Sequence, residues 1–322
     1  MKGKQGMVCM GLLLVLSSCH TGKQITASGL QRKDFQTEVN GQHTDLFTLS
    51  NKQGMEVCIT NYGARVVSIL VPDRNGKRED VVCGFSTITE YMEQRQNFGS
   101  TVGRYIGRIL NARFTLDGVE YKLVPNNGKS GHISHGGNPG FADRMWKVEQ
   151  ADTHRVRLSY LSPDGENGFP GNLKVTLVYS LGEDDNALDL TYEATTDAPT
   201  VLNLSHHSFF NISGNFTKSV EDQQLWVDAD RFTPYDDKKC VTGEYLQVAG
   251  TPLDFRMPHA IGECIDADHP QLKVVNGYDH TWELNTKGDD TRPAAWVYDP
   301  VSGRKMEIFT TERECKFIPV MD

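Results

Sequence analysis

Four short segments carry side chains able to move protons or hold a polyhydroxylated ligand. The densest is Asn203-Leu204-Ser205-His206-His207-Ser208-Phe209-Phe210-Asn211-Ile212-Ser213-Gly214. Adjacent histidines in an extended segment point to opposite faces, so one can face a cleft while its neighbour faces away. The surrounding rings and amides suit a sugar, which presents C–H faces to aromatics and hydroxyls to hydrogen bonders. In Gly131-His132-Ile133-Ser134-His135-Gly136-Gly137, His135 precedes two glycines that would let the backbone approach a ligand closely. The His-x-x-His spacing there could hold a metal, but no carboxylate or third ligand lies nearby, so no metal site is expected. Gly99 to Ile109 is glycine-rich and carries Arg104 and Arg108; without a P-loop lysine or a following helix it is a poor phosphate loop. Thr251-Pro252-Leu253-Asp254-Phe255-Arg256 sets an acid amid apolar residues. Singly, each has an ordinary explanation: a satisfied structural histidine, solvated arginines, a turn or salt-bridge aspartate.

The elements that must position these residues read as strands. From about Asp34 onward apolar and polar residues alternate with period two between turn residues. Arg155 to Tyr160, Leu173 to Tyr179 and Leu188 to Tyr192 each turn their apolar residues to one face, as half-buried antiparallel strands do. Asp117-Gly118, between Phe114-Thr115-Leu116 and Val119-Glu120-Tyr121, tolerates the positive φ of a tight hairpin. Helical periodicity is nearly absent; one short helix is expected from Thr87, with Glu90 completing a capping box. Strands without alternating helices predict an all-β protein, a sandwich of antiparallel sheets. No internal repeat, low-complexity tract or linker divides the chain, so one domain spans residues 34–322.

Composition narrows the partner. The 322 residues carry a formal net charge of -9 with 38% hydrophobic residues, which fits a globular protein. An acidic chain lacks the basic patches that displace counterions, so no nucleic-acid role is expected. At the N-terminal end, Lys2 and Lys4 precede an apolar stretch from Met7 to Leu16, then Leu16-Ser17-Ser18-Cys19. That stretch is about half the roughly 20 residues of a membrane span, which makes it a leader. Its ending resembles a bacterial lipoprotein signal: residues 1–18 would be removed, Cys19 would carry acyl chains, and residues 19–33 would form a flexible tether. An exported protein held in the cell envelope by lipid is expected, since two or three long chains make attachment effectively permanent. The alternative is an ordinary secretory leader with an incidental cysteine. The other cysteines past the leader (Cys58, Cys83, Cys240, Cys264 and Cys315) are odd in number and lack Cys-x-x-Cys pairs, so they are expected to be mostly small buried hydrophobes.

Taken in order, the chemistry-bearing segments resemble the aldose 1-epimerase (galactose mutarotase) family. The resemblance rests on Gly103-Arg104-Tyr105-Ile106-Gly107-Arg108-Ile109, His135-Gly136-Gly137, His206 through Gly214, Thr251 to Arg256 and Gly277 to His280, and covers roughly Phe35 to Thr311. It implies a large antiparallel supersandwich that interconverts the α and β anomers of free hexoses such as galactose and glucose by acid–base ring opening. His207 would be the general acid on the ring oxygen, with Arg108, His135, Ser208, Phe209 and Asp254 contacting the sugar. An unperturbed histidine pKa of about 6.5 suits proton donation near neutrality. Gly107 stands where many members have Asn, so it receives no role; His206 also replaces an Asn and is expected to face away. Proton transfer needs no metal, nucleotide or redox cofactor, which leaves only a structural calcium ion open. A monomer acting on a small monosaccharide is expected. The rival readings are a lipid-anchored sugar-binding protein without catalysis, an inactive truncated epimerase, and a hexose-phosphate epimerase, which would need more basic residues at the cleft.

The chain end departs from the family pattern. After Glu312 the resemblance predicts Pro-Gly-Val-Gln-x-Tyr-Thr-Gly-Asn, whereas Arg313-Glu314-Cys315-Lys316-Phe317-Ile318-Pro319-Val320-Met321-Asp322 is written. One permissible set of codons for these residues, given a single extra base, encodes Pro-Gly-Val-Gln-Ile-Tyr-Thr-Gly-Asn. The expectation is therefore a one-nucleotide deletion, with the family's glutamate base absent from this sequence.

Overall fold

The computed structural model describes residues 24–319. The expected leader, Cys19 with its expected acylation, and residues 320–322 fall outside them. Within them the chain is built of antiparallel strands with two short α-helices.

The alternation seen in the sequence produces a four-strand meander, Lys147–Ala151, Arg155–Ser162, Leu173–Leu181 and Leu188–Thr196, paired in that order. Leu173, Val175, Leu177, Tyr179 and Leu181 point inward and are at most 4% exposed. A second sheet pairs Leu46–Ser50, Glu56–Thr60, Arg65–Pro72 and Arg78–Asp80 in order. Two further four-stranded sheets follow. One is ordered His259–Ala260, Gln224–Val227, Ala295–Tyr298, Lys305–Ile308; the other is Leu246–Gln247, Ala229–Thr233, His280–Leu284, Glu314–Phe317. Val57 and Ile59, Leu158 and Val175, Leu225 and Trp282 belong to one connected core, so the sheets pack as an all-β sandwich. Each fully buried Val or Leu in it contributes roughly 1.5–3 kcal/mol.

The expected tether is ordered from Gln24 onward. Every residue of Glu56–Thr60 is buried, because both faces of its sheet are covered. Val57 and Ile59 enter the main core, whereas Cys58 joins Phe35, Leu46 and Tyr91 in a second cluster against which Leu30 packs. The backbone N–H of Ala27 donates to the buried Glu56 carboxylate at 2.6 Å, and Arg32 pairs with Asp45. Residues 24–33 are thus held by an apolar face that needs covering. Of the five cysteines expected to be buried, only Cys58 and Cys240 are; Cys83, Cys264 and Cys315 are half-buried, and all five are free thiols.

Local signals read from the sequence have direct counterparts. Asp117 and Gly118 take φ of +50° and +79° between Arg113–Leu116 and Val119–Lys122, the backbone a two-residue hairpin turn demands. Helix Ile88–Gln94 starts at Thr87, whose hydroxyl accepts the Glu90 N–H at 3.3 Å, while the Glu90 carboxylate accepts the Ser86 N–H at 3.1 Å.

Candidate active site

The strand Ser205–His207 lies antiparallel to Ser100–Val102, with His206 opposite Thr101 and His207 opposite Ser100. Strand alternation sends the two histidines apart. His206 turns to Tyr179, whose hydroxyl lies 3.4 Å from Nδ1, and its Nε2 meets the Ser208 hydroxyl at 2.7 Å. It is a satisfied structural histidine, and Ser208, expected at the sugar, serves it instead. His207 faces His135, with ring centroids 5.3 Å apart in an edge-to-face arrangement. Phe209 packs 5.0 Å from His207 and stands edge-on to Phe98, making an aromatic wall beside the pair.

His135 arrives by a strained turn. Its φ is +53°, and Gly136 and Gly137 follow at +79° and +107°. A Cβ on Gly136 would sit 1.9 Å from the Gly103 carbonyl oxygen, and one on Gly137 would strike Asn167. The glycines therefore permit close packing of protein on protein rather than the approach to a ligand expected of them. The His135 N–H donates to the Gly107 carbonyl at 2.9 Å, and the Gly107 N–H donates to His135 Nδ1 at 3.3 Å. With Nδ1 accepting, the neutral ring carries its proton on Nε2. Arg108 pairs across from Ser134, one residue before His135, and donates to the Lys239 carbonyl at 3.0 Å.

The wall opposite comes from the C-terminal half. His280 is fully buried among Phe232, Tyr235 and Trp282. Beside it, Asp279 Oδ1 lies 2.7 Å from Lys316 Nζ, which also donates to the Tyr235 hydroxyl at 2.9 Å. Neither Asp279, Tyr235 nor Lys316 was expected here. Asp279 had a signal, since it lies inside the Gly277 to His280 motif; Tyr235 had none, and Lys316 lies in the stretch that departs from the family pattern.

Burial dominates the electrostatics. It pushes His135 and His206 down to about 3 and His280 to about 4. His207 is lowered too, first by burial and then by the nearby Lys316 cation, while Asp279 opposes the shift. The unperturbed value expected from the sequence is therefore not that of the folded site, and burial favours the neutral ring at each of these histidines.

The remaining candidates lie elsewhere. Asp254 is held by Arg256 through bonds of 2.9 and 2.8 Å, and Arg256 also reaches Asp230. This pairing lowers the Asp254 carboxyl, with Arg256 as the first cause, and the contacts of the acid are those of a salt-bridge residue. Arg104 is 1% exposed, not solvated; it binds Ser162 Oγ and the carbonyls of Ser162, Pro163, Pro170 and Gly171, clamping loops together. His132 is buried with its Nδ1 accepting the Asn111 N–H at 3.0 Å, which separates it from His135. Among the described residues no three His, Cys, Asp or Glu side chains group as metal ligands.

Comparison with known proteins places this geometry. Residues 45–317 match the family model described as aldose 1-epimerase. The chain belongs to the aldose 1-epimerase family. It is similar to galactose mutarotase of Sus scrofa, 36% identical over 271 residues covering 84% of this chain and 76% of that protein. Aldose 1-epimerase of Escherichia coli strain K12 is 35% identical over 278 residues, covering 86% of this chain and 79% of that one. Among solved structures, the galactose 1-epimerase of Lactobacillus acidophilus NCFM aligns with a TM-score of 0.72 at 31% identity, covering 82% of this chain and 75% of that one. An aldose epimerase homologue from C. elegans aligns at 0.74 and 30% identity, covering 82% and 78%. An aldose 1-epimerase fold here thus brings His135, His207, Arg108 and Phe209 together with Asp279, and leaves Ser208 and Asp254 outside the cluster.

Proposed function

We propose that this protein is an aldose 1-epimerase that interconverts the α and β anomers of free hexoses such as galactose and glucose. The observation that carries the reading is the facing pair His135 and His207 in a half-buried, aromatic-walled site of a chain belonging to this family. A cyclic hemiacetal opens when the anomeric hydroxyl loses its proton while the ring oxygen gains one. The C1–O5 bond breaks, the aldehyde rotates about C1–C2, and closure from the other face returns the proton. His207, in its protonated form, is the acid on the ring oxygen, and water takes the proton that leaves the anomeric hydroxyl. His135, with its proton on Nε2, donates a hydrogen bond to the same oxygen or to a neighbouring hydroxyl, and Arg108 holds a hydroxyl from the adjacent strand. Asp279 is the carboxylate acting on His207 through its charge, and it accepts from sugar hydroxyls. Each well-positioned proton-transfer group contributes typically 10²–10⁴-fold. The steps are proton transfers and require no metal, nucleotide or redox partner.

Polarimetry on fresh α-galactose and α-glucose tests this reading. Equilibration accelerated in proportion to protein is expected. Sugar binding without acceleration would assign a lectin-like role instead.

We further propose that the protein is exported, acylated on Cys19 and tethered to the cell envelope as a monomer. The lysines, short apolar run and Leu-Ser-Ser-Cys ending support this. Intact mass spectrometry should find acyl chains on Cys19, and Cys19→Ser should leave a soluble or unprocessed product. Wild-type protein recovered unacylated in the soluble envelope fraction would refute it.

A further inference from the structure

We propose that Lys316 is a positioning residue of this site, holding the Asp279 carboxylate and the Tyr235 hydroxyl as a cation built into the wall beside His207. The inference rests on the mutarotase reading and adds a residue to it.

Backbone pairing determines where Lys316 stands. Strand Glu314–Phe317 runs antiparallel to His280–Leu284, with Phe317 opposite His280 and Lys316 opposite Thr281. The side chain is then directed by three partners: Asp279 Oδ1 at 2.7 Å, the Tyr235 hydroxyl at 2.9 Å, and the Tyr235 ring, whose centroid is 5.6 Å from Nζ. The Lys316 and Asp279 side chains are only 27% and 26% exposed, so this is not a solvated rim lysine. A compact ammonium with an anion, a hydroxyl and a ring face around it is anchored on several sides.

The charge of Lys316 reaches the histidines. After burial, it is the next cause depressing His280, and it contributes also at His207 and His135. The charged or titratable groups acting on His207 and its partners come from every packed element. They are His206 on its own strand, Arg65 from the neighbouring sheet, His135 with Arg108 behind it, and Asp279 with Lys316 from the far wall. Among them Lys316 and Asp279 are opposite charges that compensate each other. Removing the ammonium therefore acts twice on His207: a repelling cation is lost, and the attracting carboxylate is left uncompensated.

The test is NMR titration of the histidine rings in full-length wild-type protein, Lys316→Met and Lys316→Arg. In Lys316→Met the His207 midpoint should rise by about 0.5 pH unit or more, roughly a threefold gain in proton affinity. Lys316→Arg, which keeps the charge, should stay near wild type, and the alkaline limb of the mutarotation pH profile, where the acid loses its proton, should move with the midpoint. A merely structural lysine would shift neither. An unchanged His207 midpoint in Lys316→Met, or equal shifts in both variants, would overturn the proposal. Lys316→Gln replaces Lys316→Met if the latter does not fold, with the same expectations. Polarimetry of the wild type runs alongside, so a protein without mutarotation would defeat the functional reading while the titrations still decide the role of Lys316.

Discussion

Gly107 and His135 exchange two hydrogen bonds: the His135 N–H donates to the Gly107 carbonyl at 2.9 Å, and the Gly107 N–H donates to His135 Nδ1 at 3.3 Å. The second sets the imidazole tautomer from the backbone, so it does not depend on the side chain at position 107. Nitrogen-15 NMR of the histidine rings at pH 7 should show His135 protonated on Nε2. A ring protonated on Nδ1 would break the link between Gly107 and the orientation of His135.

His207→Ala should lower turnover by about 10²-fold or more while sugar still binds, because the acid is lost and the hydroxyl contacts from Arg108 and Asp279 remain. Turnover by polarimetry and affinity by calorimetry separate the two effects. A near-normal rate would remove His207 from the chemistry.

Two aspartates with different surroundings separate the structural placement from the one expected on resemblance. Asp279→Asn should cut kcat/KM by about 10²-fold, since it removes the carboxylate beside His207 and unbalances Lys316. Asp254→Asn, whose carboxylate is held in a salt bridge with Arg256, should change it by less than about threefold. The reverse ranking would return Asp254 to the site.

Stability should fall on acidification. His135, His206 and His280 have folded-state pKa values pushed down to about 3, 3 and 4 by burial, below the unfolded value near 6.5. As pH drops below 6.5 the unfolded chain binds protons that the folded chain cannot, so stability present above 6.5 is lost toward pH 4. Each histidine contributes a slope of up to about 1.4 kcal/mol per pH unit. Thermal melts at pH 7 and pH 5 should show a clear drop, reduced in His206→Gln. A flat profile would mean that the rings are not held neutral.

Arg104→Met should destabilise by roughly 3 kcal/mol, because four loop carbonyls and the Ser162 hydroxyl lose a buried donor. Denaturant unfolding measures this, and a change under about 1 kcal/mol would contradict the clamp.

The strands, the hairpin and the single capped helix were legible because their signals are local. Alternation from Leu173 to Leu181, positive-φ tolerance at Asp117-Gly118 and the Thr87/Glu90 box act within a few residues. The opposed directions of His206 and His207 followed from the same period-two geometry. Residues 24–33, within the expected tether, carry little periodic signal, and their packing comes from the apolar face that Phe35, Leu46 and Cys58 would otherwise present.

By itself the sequence determined the all-β class, the family resemblance and the two histidines, His135 and His207, that the fold brings face to face, since these depend on residue type, order and short-range spacing. Only the tertiary structure decided which acid joins them. The family resemblance pointed to Asp254 and gave Asp279 no role, whereas the acid beside His207 depends on strand register. Pairing of Glu314–Phe317 with His280–Leu284 sets Lys316 against Asp279 beside His207, whereas Asp254 is drawn to Arg256 two residues away. The protonation state of the site was equally a property of the fold. The desolvation that lowers the proton affinity of four imidazoles exists only once the sheets have closed over them.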